Sequence, residues 1–496
     1  MNLPIKTKRY FAILCLLTST LTTNTSMANE VNNKNNIIEK TIIAKVIKAY
    51  GGETLTSLKG IVLTEHNKRI SSGQGENPNQ PGFFRINEEL TIDFERKRKS
   101  MISWRVSRTS TDLEQFIFDG KQGRIYDILN QKYSDEDWLN FASTGSAIVR
   151  RSDTMLARSL NDQNTKVSYQ GDVPYMGTPH HKLDVKIGSG VEYRVFIDKS
   201  LGLISKMVRQ HPRAGQISYA FANHSQSDGL TFAQDLNFTV GGQTRLVSIT
   251  RDIKIPISLE ESFTKPVTYS HWGELFDTSE LIVNKIAPNI YHAGKGRSFT
   301  LFVDTGDYFI ASGGHNDLKE KFLAVKSFEN IDKPLKYMIS THHHNEHLPA
   351  LKEAVELGAK IITVSDHQLA IKKQLSQENT DDVFQLISEQ ASFGDGAVEV
   401  YEISTMHAEK YLLVYVPAAK LVFAEDHYET QLKTAIPRVH KDMVVFRKAM
   451  EALTIDVEHL IDGHSPRQLS ITEFNSATDA YQKVICPTGY LICKMG

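Results

Sequence analysis

Long apolar runs are missing from this chain. Nowhere does the sequence approach the ~18–20 consecutive apolar residues of a membrane-spanning helix, which argues against a multi-span membrane protein and predicts no transmembrane segment. Cysteine is scarce, with 3 in 496 residues, and neither number nor spacing fits a sulfur-ligated zinc site. No charge dominates: 57 Lys and Arg stand against 58 Asp and Glu, for a formal net charge of −1. That balance lacks the global basic excess of a nucleic-acid binder. Fixed-period repeats and long low-complexity tracts are absent as well. What remains is ordinary globular composition, 40% hydrophobic and 23% charged, which argues against wholesale disorder and collagen. At roughly 100–200 residues per domain, the length accommodates two or three domains.

The first 28 residues differ from the rest. Lys6, Lys8 and Arg9 precede an apolar stretch from Tyr10 to Leu17, and a Ser/Thr-rich run then ends in Ser26-Met27-Ala28. A basic start, a short apolar core and small residues at its end predict a secretory signal peptide, residues 1–28, cleaved after Ala28. The expected location is therefore periplasmic or secreted. Cys15 lies inside the apolar core behind Ala-Ile-Leu, which does not suit a lipoprotein cleavage site. The other two cysteines, Cys486 and Cys493, either pair in an oxidising compartment and pin the tail or stay as free or buried thiols; the sequence leaves both open.

Residues 29–38 are Asn-rich and read as a polar leader. Ile42, Ile43, Val46, Ile47 and Tyr50 then recur at helical spacing, and Gly51-Gly52 ends that helix. Short β-like runs follow, at 83–94, 101–106, 113–118, 123–129, 181–187, 191–197, 203–209, 217–221 and 245–253, with a helical insert near 135–160. Helix first and antiparallel meander after predict a curved sheet over 39–255, of the α+β kind. Residues 256–272 read as a linker. Over 273–470 strands and helices alternate, and 471–496 form a C-terminal tail.

Chemistry concentrates after the strand predicted to end at Ser340, in Thr341-His342-His343-His344-Asn345-Glu346-His347. His342 and His344, two apart in an extended turn, project the same way. Glu346 and His347 open a helix and face a second position close by. His407 follows the strand at 397–403, Asp426 the strand at 421–423, and His464 the strand at 459–461. All lie just past the C-terminal ends of strands, where open α/β sheets place their ligand sites.

This arrangement resembles the metallo-β-lactamase-fold metallohydrolase superfamily, with its His-x-His-x-Asp-His, lone His, Asp after a strand, and Gly-His. The likeness covers about 273–467, where Asp462-Gly463-His464-Ser465-Pro466 resembles the family's Gly-His-x-Pro. It implies an αββα sandwich. It also implies His342, His344 and His407 as ligands of a first metal, Glu346, His347 and His464 of a second, and Asp426 bridging the two. Glu346 stands where Asp is usual, and Ile310-Ala311-Ser312-Gly313 lacks the Asp that often supports the metal from behind. The stretch 39–255 resembles the carrier and sorting proteins of outer-membrane lipoproteins, in order of elements only, which implies a half-barrel with an apolar hollow.

Neutral imidazoles and carboxylates suit Zn²⁺, two ions on the resemblance, although Mn²⁺ and Fe²⁺ use the same groups. A water bound there has its pKa lowered toward ~7, and Glu346 and Asp426 are the expected catalytic residues, Glu346 orienting the nucleophile and handing on a proton. The expectation is a metal-dependent hydrolase of an ester, thioester or amide-like bond in a small-molecule substrate, lipophilic if the hollow exists. The alternatives are a mononuclear-iron thiol or persulfide oxygenase, or a non-catalytic lipid- or metal-binding carrier. Oligomeric state is left open. His292, His315, His367 and His427 read as surface or hydrogen-bonded histidines, with His427 nearest a substrate. Gly294-Lys295-Gly296 lacks the strand-to-helix context of a nucleotide loop. Arg96-Lys97-Arg98-Lys99 reads as a solvated strand end.

Overall fold

A computed structural model describes residues 20–188, 190–375, 381–434 and 438–494, with side chains from residue 35 onward. The protein is mixed α/β and strand-rich, and its chain divides into two units: Met1–Leu58 with Val149–Gly242, and Lys59–Ile148 with Gln243–Gly496. No helix among the described residues is long and apolar enough to cross a membrane. Residues 1–19 of the expected signal peptide lie outside the described residues, while 20–28 and the leader at 29–38 fall within the helix Thr20–Ala49. The leader was expected to be irregular. Instead, the helix that the stripe Ile42, Val46, Tyr50 anchors by burial continues backwards through the Asn-rich run.

In the first unit six strands follow one another as an antiparallel meander from Thr165–Tyr175 to Leu230–Val240. Alternation along them buries Leu183, Val185, Val195, Ile197, Tyr219, Phe221 and Leu236. Tyr50 closes the helix onto this layer, donating its hydroxyl to Asp153 Oδ2 at 3.0 Å and accepting from Ile204 N at 3.2 Å.

The second unit contains three sheets. One runs Lys132–Asp135, Gly123–Asp127, Thr111–Phe118, Arg98–Val106, Gly82–Asp93, Gly60–Ser71 and Gln243–Lys254, all antiparallel. Ser71 pairs with Gly82, so residues 72–81 form a long loop at the tip of that hairpin. Within 96–99 the strand end is less solvated than its charges imply: Arg98 pairs with Asp93 at 2.8 Å, Arg96 and Arg98 share Glu260, and Lys99 is buried over Phe141. Cys486 and Cys493 form a disulfide, and Ile492 beside it packs with Trp104, Leu113 and Phe263.

The other two sheets lie face to face. A seven-stranded sheet runs in chain order from Ile282–Ala287 to Phe384–Leu386, and a six-stranded sheet from Gln390–Phe393 to Leu469–Ser470. Ile290, Leu301, Ile339 and Ile362 of the first pack against Val400, Leu412, Val414 and Phe423 of the second. The strands are apolar on both faces because helices cover the outer ones. Leu318–Glu329, Leu348–Glu356 and Gln368–Leu375 cover one, while Lys441–Glu451 and Ile471–Asp479 cover the other.

Candidate metal centre

Strand ends position the site. Leu335–Ile339 delivers the chain to 341–347, and Leu348-Pro349 then starts a helix at which proline is tolerated because its missing N–H has no partner to lose. Val398–Ile403 leads to His407, whose backbone N–H is fixed by Thr405 Oγ1 at 3.1 Å. Leu421–Phe423 leads to Asp426, and His459–Ile461 to Asp462-Gly463-His464, a turn in which Asp462 Oδ1 accepts from Ser465 N at 2.8 Å.

The structure brings His342, His344, His407 and Asp426 together, each offering a ligand atom within 4.8 Å of the others. His342 Nε2 and His407 Nε2 stand 3.3 and 2.9 Å from Asp426 Oδ2. These two nitrogens and His344 Nδ1 are buried and make no hydrogen bond of good geometry. Three inward-facing imidazole nitrogens without partners are costly unless something binds there, and with a carboxylate they are a zinc-type donor set. The residues therefore fit a metal ion.

On the other side of Asp426, His347 Nε2 lies 2.9 Å from Oδ2 and His464 Nε2 contacts Oδ1. Glu346 is near but looser, with Oε1 at 4.0 Å from His347 Nε2 and 3.9 Å from His344 Nδ1. The other six residues expected at the site thus gather around Asp426. His315, read as a surface or hydrogen-bonded histidine, also joins: its ring lies 4.9 Å from that of His347 and 4.6 Å from that of His464.

Groups behind the ligands fix their tautomers. The N–H at His342 Nδ1 points to Thr341 Oγ1 at 3.0 Å, and that hydroxyl donates to Glu425 Oε2 at 3.4 Å. Glu425 Oε1 is 3.0 Å from His347 Nδ1, and Arg297 O is 3.3 Å from His464 Nδ1. His344 Nε2 donates to Gly75 O at 3.0 Å, and His343 Nε2 donates to the same carbonyl at 3.1 Å. Gly75 belongs to the hairpin loop 72–81, which also sends Gln74 Nε2 to Glu346 Oε2 and takes Asn345 N onto Gly73 O at 3.3 Å. Such outer contacts orient a ligand and raise its basicity. Neither Glu425 nor this loop stands out in the sequence.

Charge divides the imidazoles in two. Burial, helped by the neighbouring imidazoles, holds His342 well below its ordinary pKa and brings His344 down to about 2 and His315 to about 3. Burial opposes protonation of His347 and His464 too, but Asp426 outweighs it, lifting His347 well above its usual value and His464 to about 9. Asp426 in turn, although burial pushes it up, is held well below the carboxylate range by His347 and His464.

The remaining histidines are structural. His292 is buried, donates from Nε2 to Asp462 O at 2.9 Å, and is pushed by burial to about 4. His367 is buried near Thr363. His427, expected nearest a substrate, is buried yet lines the cavity over the centre; it stacks on Phe446 at 4.2 Å with Nδ1 at 2.9 Å from Asp442 Oδ2. A cavity of about 680 Å³ opens over the centre, walled by Trp272, Leu275, Leu432 and Met443, with Thr109, Ser110 and Gln431 as polar points and Glu346, Asp426 and His464 at its floor.

Fold and site together define a mixed α/β protein with a histidine–aspartate metal centre. No protein-family profile and no curated protein matches the chain. Similar solved structures include a metallo-β-lactamase from Pontibacter korlensis, 18% identical with a TM-score of 0.32, covering 41% of this chain and 100% of that one. The metallo-β-lactamase FIM-1 from Pseudomonas aeruginosa, in a mono-zinc form, is 15% identical with a TM-score of 0.32, over 41% and 95%. A flavodiiron protein from Giardia intestinalis is 15% identical with a TM-score of 0.31, over 40% of this chain and 58% of that one. The resemblance of 39–255 to lipoprotein carriers finds no support among these matches.

Proposed function

We propose that this chain is an exported metal-dependent hydrolase, acting on an ester, thioester or amide-like bond of a small molecule that fits the cavity over the centre. One observation carries the reading: imidazoles from three strand ends converge on the buried carboxylate of Asp426, itself just past a fourth, at the floor of a cavity of about 680 Å³. That volume is in the range of small-molecule sites, roughly 300–1,000 Å³. A zinc-type ion held by these residues supplies Lewis acidity and an activated water at neutral pH. His342, His344 and His407 would hold the ion through imidazole nitrogens, and Asp426 would lend the negative charge. Glu346, about a third exposed and held by Gln74, takes a proton from the nucleophile and hands it to the leaving group. Trp272 and Leu275 favour an apolar substrate portion. The charge pattern of residues 1–28 and the disulfide Cys486–Cys493 support export to an oxidising compartment.

The test is turnover of a panel of esters, thioesters and lactams by the full chain before and after chelator treatment. Hydrolysis of at least one class that is lost with the metal and restored by zinc is expected; equal turnover by the metal-free protein would refute the assignment.

A further inference from the structure

We infer that the second metal position is built from His315, His347 and His464 beside Asp426, and that Glu346 stands off it as an outer carboxylate. The inference rests on the metal-dependent reading above and names a ligand set that differs from the one the sequence pattern implies.

Geometry comes first. The three imidazoles each offer a nitrogen within 4.8 Å of the other two, and His347 and His464 both contact Asp426. Three imidazoles are a donor set that holds a zinc-type ion, with the Asp426 carboxylate against two of them. His315 Nδ1 is buried and has no hydrogen-bond partner, although the ring is hemmed in by two other imidazoles.

The loop that carries His315 is constructed to aim it. The strand Phe309–Ser312 ends in Gly313 and Gly314, at φ +82° and +94°, a left-handed backbone that glycine adopts freely. A Cβ on Gly314 would sit 2.3 Å from Thr300 Oγ1, so the chain passes too close for a side chain. His315 N then donates to Ser298 Oγ at 3.0 Å. The buried Lys321 donates to the same hydroxyl at 2.6 Å and to Asn316 O at 2.8 Å. A buried ammonium is unfavourable, and here both its hydrogen bonds hold the two ends of the turn that presents one imidazole.

Glu346 is placed differently. Gln74 holds its Oε2, and Oε1 lies 4.0 Å from His347 Nε2, against 2.9 Å for Asp426 Oδ2. Its carboxylate stays within 4.8 Å of His347 and Asp426, and what sets it apart is the Gln74 hydrogen bond that occupies its other oxygen. One methylene longer than the expected Asp, this side chain reaches past the shell to the hairpin loop, and His315 supplies the donor that its withdrawal removes.

Cobalt(II) binding by the full chain tests this without reference to turnover. The wild type should bind two ions. His315→Cys should add a thiolate-to-cobalt charge-transfer band on filling the second position, and Glu346→Cys should add none. His315→Ala should weaken the second zinc by more than the roughly 10–100-fold that outer-shell changes cost, while Glu346→Gln stays within that range and the first ion is unaffected in both. A band in Glu346→Cys, or no band in His315→Cys, would overturn the inference while leaving the metal-dependent reading intact. Failure of the wild type to bind any cobalt would instead refute that reading, and this inference with it.

Discussion

Asp426→Asn is expected to empty the centre of metal and abolish hydrolysis while leaving the fold in place. The carboxylate of Asp426 lies 2.9–3.3 Å from His342, His347 and His407 and touches His464. It is the anion that His342, His347, His407 and His464 share. An amide keeps the shape and removes the charge, so the ion loses its anionic ligand and the imidazoles lose what holds them together. Linkage supplies a second readout on the metal-free protein. His464 has its pKa raised to about 9 from 6.5 despite its burial, chiefly by Asp426. The stability this contributes is fully present below pH 6.5 and lost as pH rises through about 9. At about 1.4 kcal/mol per unit, the loss is on the order of 3 kcal/mol. Denaturant unfolding of the chelated protein across that window should show the decline in the wild type and a nearly flat profile in Asp426→Asn. Retained metal and an unchanged profile in the variant would sink this account of Asp426.

Gly313→Ala should cost roughly 2–4 kcal/mol, combining a left-handed backbone with overpacking. Its φ is +82°, and an added Cβ would lie 2.2 Å from Phe423 Cζ, deep in the layer between the sheets, and 3.0 Å from Glu425 Oε2. Gly306 is the control: its φ of +100° is equally demanding, but nothing lies within 4 Å of its Cβ. Gly306→Ala should show only the backbone penalty, about 1–2 kcal/mol. Equal destabilisation of the two variants by chemical denaturation would contradict close packing at Gly313.

That same contact lies beside a departure visible in the sequence. The stretch Ile310-Ala311-Ser312-Gly313 lacks the Asp that the resemblance often places behind the metal, and at Gly313 the space beside the backbone is taken by Phe423 and the Glu425 carboxylate. Glu425, at φ +46°, reaches His347 Nδ1 at 3.0 Å and, through Thr341, the ring of His342. A carboxylate does back these ligands, but from another strand end. No spacing rule could reveal this, because it depends on a backbone conformation rare for Glu.

The candidate ligand positions were legible because each follows a strand whose apolar run is unmistakable, as at 421–423 and 459–461. His315 obeys the same rule, lying just past Phe309–Ser312 behind two glycines, yet it carries no motif to single it out. The role of Gln74 was beyond reach for a different reason: 272 residues separate it from Glu346, and only the register Ser71↔Gly82 makes the loop long enough to arrive. Of the helical insert expected at 135–160, only Ser146–Arg151 and Asp153–Ser159 are α-helix, since Gly145 and the Ser143 and Asn140 side chains favour turns before it.

The most direct measurement is the metal content of the purified full-length chain by elemental analysis, after dialysis against metal-free buffer. Two zinc-type ions per chain are expected, falling to none in Asp426→Asn. A wild-type protein that carries no transition metal, and takes up none when zinc is offered, would contradict the central claim that these converging imidazoles form a metal site.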